Sequence, residues 1–238
     1  MKEKGKLYLI PNTLGDVPLS QIIPQGNMDT IMTIKHFIVE DLRNARRFLS
    51  KAGWRGKIEE LNFYILNEHS RAKDIQYHLL KAEKGKHIGL LSDAGSPCVA
   101  DPGADIVAMA HIKGIQVIPL VGPSSILLSL MGSGFNGQNF SFLGYLPRDR
   151  GPRERTIKEL EKKAYSLDQT QIFIEAPYRN NHMLESLLKA CSPSTKICVA
   201  RDVTLEEEII ISQTVAEWRK EKKLPELHKR NTIFLLYK

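Results

Sequence analysis

Between Ile88 and Gly103 an apolar stretch gives way to Ser92, Asp93, Ala94, Gly95, Ser96 and Pro97, a run that gathers two hydroxyls, a carboxylate and a glycine. Gly95 permits a backbone angle that other residues resist, and Pro97 fixes its own φ while removing one donor. The connection from Ser92 to the helix start at Asp101 is longer and more polar than the ~2 to 6 residues that join a strand to a helix, which makes it a candidate ligand site. Asp101, Pro102 and Gly103 read as an N-cap, a first-turn proline and the opening of a helix reaching about Lys113. Glu40 and Asp41 form an acidic pair, and Arg43, Arg46 and Arg47 follow at helical spacing, where they face either solvent or a phosphate. Arg148, Arg150, Arg153 and Arg155 crowd the segment RDRGPRER around a Gly-Pro break, a positive loop suited to several phosphates at once. His69 reads as a surface or loop histidine rather than a catalytic one.

Several chemistries have no residues to perform them. Gly132, Gly134 and Gly137 match GxGxxG, but they follow a helical stretch and open none, so the pyrophosphate geometry is missing. No P-loop occurs, the seven histidines lack metal-ligand spacing, and no Ser or Cys nucleophile motif accompanies a histidine. Cys98, Cys191 and Cys198 show no CxxC spacing and fit reduced core thiols.

The polar runs need strands and helices to hold them. Apolar segments at Leu7 to Ile10, His36 to Val39, Tyr64 to Leu66, Ile88 to Leu91 and Ile115 to Val121 alternate with helical stretches at 42–52, 72–84, 101–113 and a helix ending near Met131. That alternation predicts a doubly wound parallel sheet, whose ligands sit at the carboxyl ends of the strands. Beyond it, strands at 140–146, 171–175, 197–200, 208–212 and 233–237 with helices at 153–165 and 179–190 predict a mixed sheet. The expected fold is therefore α/β with two domains, 1–120 and 121–238. At 238 residues, 42% hydrophobic and with a net charge of +7, the chain reads as a globular protein whose partner is polyanionic. The four-residue apolar run near the N-terminus is too short for a signal peptide, and no run approaches membrane-spanning length, which predicts a cytoplasmic protein without membrane partners.

Taken in order, LYLIPNTLGD, VEDLRNARRFL, GLLSDAGSPCVADPG, PLVGPSSILLSLMGSGF, FLGYLPRD, FIEAPYR and ARDVTLEEE resemble the successive motifs of the ribosomal RNA small-subunit methyltransferase I type, within the tetrapyrrole methylase superfamily. The resemblance runs over nearly the whole chain, and SDAGxPxxxDPG is its specific part. Departures fall on the presumed substrate side: Leu42 in a motif usually EDTR, and Ala176 and Tyr178 in one usually ESPHR.

The resemblance implies a two-domain homodimer that binds S-adenosylmethionine in a cleft between the domains. It implies methylation of a ribose 2′-hydroxyl in small-subunit ribosomal RNA, with no metal. By the same resemblance Pro11, Asp93, Ala94, Gly95, Ser96, Ser124 and Ser125 line the cofactor pocket. Glu40 is the expected general base and Arg43 a phosphate anchor, while Arg148, Arg150, Arg153 and Arg155 meet the RNA. Two other readings stay open: methylation of a tetrapyrrole precursor or other small molecule, and an inactive RNA or nucleotide binding module.

Overall fold

The computed structural model describes residues 3–54, 57–66 and 72–238, so His69 lies outside the described residues. The chain forms two compact units, 1–124 and 125–238.

In the first unit, β1 (Leu7–Ile10), β2 (His36–Val39), β3 (Asn62–Ile65), β4 (Ile88–Leu91) and β5 (Val117–Pro119) form one sheet in the order β3-β2-β4-β1-β5. Every pairing in it is parallel. The two-residue period of the strands sorts their side chains between two cores. Ile10, Phe37, Val39 and Leu91 face α1 (Leu19–Ile22), α2 (Gln25–Ile31) and α3 (Leu42–Leu49), whose Leu19, Ile31, Ala45 and Phe48 complete that cluster. Leu7, Ile38, Ile88 and Leu90 face the other way, against Ile75 and Leu79 of α4 (Ala72–Glu83) and Ile106 and Ala110 of α5 (Ala104–Ile112). Near-continuous apolar strands are what a sheet covered on both faces requires. Gly89, at the middle of β4, leaves the room that Ile10 and Phe37 fill, since a Cβ there would lie 2.6 Å from Ile10 Cδ1.

In the second unit β6 (Phe140–Tyr145), β7 (Thr170–Ile174), β8 (Lys196–Arg201), β9 (Ile209–Thr214) and β10 (Thr232–Tyr237) run in the order β6-β7-β10-β8-β9. Only β6 and β7 pair in parallel; the other pairs are antiparallel, which makes the sheet mixed. One face packs on α7 (Arg150–Leu167), α8 (Asn180–Ala190) and α9 (Val215–Trp218), and the other on α6 (Ser125–Ser133). Among the described residues no helix is long and apolar enough to cross a membrane.

Candidate active site

Parallel strands bring the polar ends of β1, β2 and β4 to one edge of the first unit. The loop after β1 and the loop after β4 are stitched by an isolated antiparallel bridge, in which Asn12 N donates to Gly95 O (3.0 Å) and Gly95 N to Asn12 O (3.1 Å). Asn12 Nδ2 donates as well to the carbonyls of Ser92 (3.3 Å) and Asp93 (3.2 Å), so a single buried asparagine fixes the start of the loop. Ser96 Oγ donates to Pro123 O at 3.2 Å and ties the loop's other end to the segment after β5.

Gly95 holds φ +69°, and a Cβ on it would meet Leu14 Cδ2 at 3.1 Å and Pro123 O at 3.6 Å. Pro11 is buried against Gly122, where a Cβ would fall 2.2 Å from Pro11 Cγ. Both glycines are demanded by close approach. Ala94 is exposed and Asp93 half-buried, with Asp93 Oδ2 accepting from Asn44 Nδ2 at 3.2 Å. Asn44 is in turn set by Asp41, whose side chain caps α3 by accepting from Asn44 N at 2.7 Å.

A cavity of about 210 Å³ opens beside this network. Asn12, Thr13, Gly15, Asn44, Arg47 and Asp93 are among its lining residues. Of the three arginines at helical spacing on α3, Arg47 reaches this cavity, Arg46 lies over the Phe63 ring at 5.7 Å, and Arg43 is exposed.

Glu40 follows β2 directly and is exposed as a residue, yet its carboxyl group is partly shielded from water. That burial, a hydrogen bond with Asp101 and the negative charges of Asp101, Asp93 and Asp41 push its pKa up from 4.5 to about 7. Burial also raises Asp101, against hydrogen bonds from Ser92 and Glu40 that pull it down, so the two carboxyls share one proton. Asp101 is therefore no N-cap: α5 starts at Ala104 with Gly103 (φ 130°) before it, and the Asp101 carboxyl turns to Glu40 instead. Asn12 and Asn44 belong to this network without having stood out in the sequence, while Asp101, read there as a cap, and Arg47, read there as facing solvent or a phosphate, take places at the site. The Asx spacing of Asp41 and Asn44 at a helix start is the signal that points to one of them. Among the described residues no group of three or more His, Cys, Asp or Glu is placed to hold a metal ion.

Ser124 closes the first unit and Ser125 opens α6, both half-buried. The four arginines of RDRGPRER do not form a loop, because α7 begins at Arg150. Arg148 and Arg155 are exposed, and Arg150 pairs with Glu154 at 2.8 Å. Arg153 is 5% exposed, donates through Nε to Ser186 Oγ (3.0 Å) and through Nη1 to Arg148 O (2.9 Å), and is removed from the phosphate-binding set on that ground.

Some proteins resemble this chain in sequence and others in fold. Ribosomal RNA small subunit methyltransferase I of Vibrio cholerae is 29% identical over 211 residues, 89% of this chain and 69% of that protein. The Escherichia coli O157:H7 protein of the same name is 28% identical over 221 residues, 92% of this chain and 73% of its own length. Among solved structures, the methyltransferase CobJ superposes with a TM-score of 0.64 at 16% identity, covering 98% of this chain and 94% of its own. A uroporphyrin-III C-methyltransferase from Thermus thermophilus, solved with S-adenyl homocysteine, gives 0.54 at 16% identity with 98% of each chain covered. A sequence model of the Tetrapyrrole (Corrin/Porphyrin) Methylases matches residues 24–218, so the chain belongs to that family.

Proposed function

We propose that this methyltransferase uses S-adenosylmethionine to methylate a ribose 2′-hydroxyl in small-subunit ribosomal RNA, acting as a cytoplasmic homodimer. The observation that carries the reading is the Glu40–Asp101 carboxyl pair standing beside the stitched Asp93 loop. An alcohol needs a base near neutrality, and a carboxyl group with a pKa of about 7 is one. The names of the sequence relatives, ribosomal RNA small subunit methyltransferase I, support an RNA target.

The residues fit the cofactor. Asp93, oriented by Asn44, can accept from ribose hydroxyls or an ammonium group, while Asn12 and Ser96 hold the loop in shape with donors already spent on carbonyls. Gly95 keeps the loop free of a side chain at its tightest point. When bound, S-adenosylmethionine supplies a methyl group on a positively charged sulfur, open to in-line displacement by oxygen. The chain's part is alignment first: holding two reactants in a near-attack geometry contributes roughly 7–11 kcal/mol. Glu40 then takes the hydroxyl proton at its carboxylate oxygen, worth ~10²- to 10⁴-fold. Exposed Arg43 and Arg47 offer guanidinium groups to the phosphates flanking that ribose.

Calorimetric titration with S-adenosylmethionine, in the presence of a chelator, is expected to give heat of binding. Labelled cofactor is then offered with small ribosomal subunits, with free RNA and with a tetrapyrrole precursor. Label is expected in the RNA; label confined to the tetrapyrrole overturns the substrate assignment, and no heat of binding overturns the enzyme reading.

A further inference from the structure

At the carboxyl edge of β6 and β7 the second unit carries two tyrosines that its own core does not use. Tyr145 is 64% exposed and Tyr178 57% exposed. Tyr145 owes its position to an irregularity: β6 shifts register against β7 between Phe142 and Tyr145, with Gly144 at φ +65°, and Tyr145 comes to lie opposite Ile174. Such a bulge re-aims the side chain that follows it. Directly after Ile174, Glu175 is buried with its side chain fully shielded, and its Oε1 accepts from Ala176 N (2.7 Å), Arg179 Nε (3.0 Å) and Arg179 Nη2 (2.5 Å). The third guanidinium nitrogen, Nη1, donates to Tyr178 Oη at 3.1 Å, and the Arg179 Cζ stands 5.2 Å from the centre of the Tyr178 ring. Tyr145, opposite Ile174, thus sits on the neighbouring strand beside the residue that precedes Glu175.

All three nitrogens of Arg179 are thus engaged inside the protein, which makes this arginine a poor phosphate ligand but fixes its plane. A fixed guanidinium against one tyrosine, with a second tyrosine on the adjoining strand end, presents aromatic surface of which more than half is exposed on each residue. Unpaired nucleobases are what such surfaces take: they stack on aromatic and guanidinium planes without regard to sequence. Arg148, exposed and three residues beyond Tyr145, has its carbonyl held by Arg153 and can meet the phosphate of the same nucleotide.

We propose that Tyr145 and Tyr178, displayed beside the Arg179 guanidinium that Glu175 locks in place, form a stacking platform for an unpaired base of single-stranded RNA. The inference rests on the RNA reading given above and adds to it the part of the chain that holds an extruded base.

Equilibrium binding of the full chain to a labelled single-stranded oligocytidylate of about twelve nucleotides, and to an abasic ribose-phosphate chain of equal length, tests it. The wild-type protein is expected to prefer the base-bearing strand by roughly 5- to 150-fold, the range that stacking of a base supports. Tyr178→Leu and Tyr145→Leu should each reduce oligocytidylate affinity within that range while affinity for the abasic chain, its salt dependence and the heat of S-adenosylmethionine binding stay as in wild type. Tyr178→Phe, which keeps the ring and loses only the hydroxyl, should bind as wild type. Equal wild-type affinity for the two strands overturns the proposal, as does undiminished oligocytidylate binding by the leucine variants. Loss of cofactor binding in those variants overturns it too, since it would put the cofactor's adenine on the ring. Label transfer to small ribosomal subunits separates the two levels: transfer by wild type together with unaffected leucine variants refutes the platform alone, whereas transfer only to a tetrapyrrole refutes the RNA reading and the platform with it.

Discussion

Changing Asp101 to Asn tests the acid–base assignment, because Asp101 supplies the hydrogen bond and the nearest of the negative charges that raise Glu40. In the wild-type protein Glu40 must lose its proton before it can accept one from a hydroxyl. With a pKa of about 7 it is half ionised at neutrality, about one-eleventh ionised at pH 6 and about ten-elevenths at pH 8, so the rate should fall about fivefold from pH 7 to pH 6 and approach tenfold per unit below that. A carboxyl group at the ordinary 4.5 would remain almost wholly ionised at pH 6 and give a flat profile. Asp101→Asn removes one charge and one strong acceptor but leaves the burial that is the largest cause of the shift. The limb should therefore move to lower pH, stopping short of 4.5. The assay is the pH dependence of single-turnover methylation from 5.5 to 8.5 with saturating cofactor, alongside Glu40→Gln, expected to lose ~10²- to 10⁴-fold at every pH. A flat wild-type profile, or a limb that Asp101→Asn leaves where it was, refutes the assignment. The same shift bears on folding. Glu40 binds its proton more tightly in the folded state, so its contribution to stability is full below 4.5 and is lost as the pH rises through about 7, opposite to an ordinary ion-paired carboxylate.

Gly95→Val should abolish the heat of S-adenosylmethionine binding while a cooperative unfolding transition persists; a left-handed conformation costs a non-glycine residue roughly 1–2 kcal/mol, and wild-type affinity in the variant would show the loop to be only a connection. Gly122→Ala should lower the urea midpoint by the equivalent of about 1–3 kcal/mol, the usual cost of overpacking, since its Cβ would lie 2.2 and 2.3 Å from Pro11 atoms; an unchanged midpoint would mean that the segment after β5 moves freely away from β1. Arg153→Leu should destabilise by about 1–3 kcal/mol through its orphaned buried partners without altering the salt dependence of RNA binding. Arg155→Ala should do the reverse, staying within about 0.5 kcal/mol in stability and flattening log K against log salt by about 0.7; a common effect of both on RNA binding would dissolve the distinction between them.

That distinction shows where sequence reading works and where it stops. Strands covered on both faces are legible because they are predominantly apolar: β1, β2 and β4 lie where their apolar runs place them. Loops are harder, since a residue pattern states a local preference that distant partners can overrule. Asp-Pro-Gly at 101–103 is a sound helix-start signal, yet Cys98 and Ala100 adopt φ of +66° and +55°, conformations that no residue type there announces. The chain turns through them, α5 waits until Ala104, and the Asp101 carboxyl is left to meet Glu40. In RDRGPRER the error is of another kind. Gly-Pro reads as a break, but Pro152 falls in the first turn of α7, where a missing N–H leaves no bond unmade. Once the helix is extended back to Arg150, its phase follows from the buried stripe Arg153, Ile157, Leu160 and Ala164. That stripe is present in the sequence, and continued upstream it turns Arg153 inward. Within α7, arginines that look equivalent as a cluster are thus divided by helical phase: Arg153 builds the second unit, Arg150 is paired with Glu154, and Arg155 stays exposed to a polyanion. Net charge indicates a polyanionic partner, and the phase of α7 decides which of these charges can meet it.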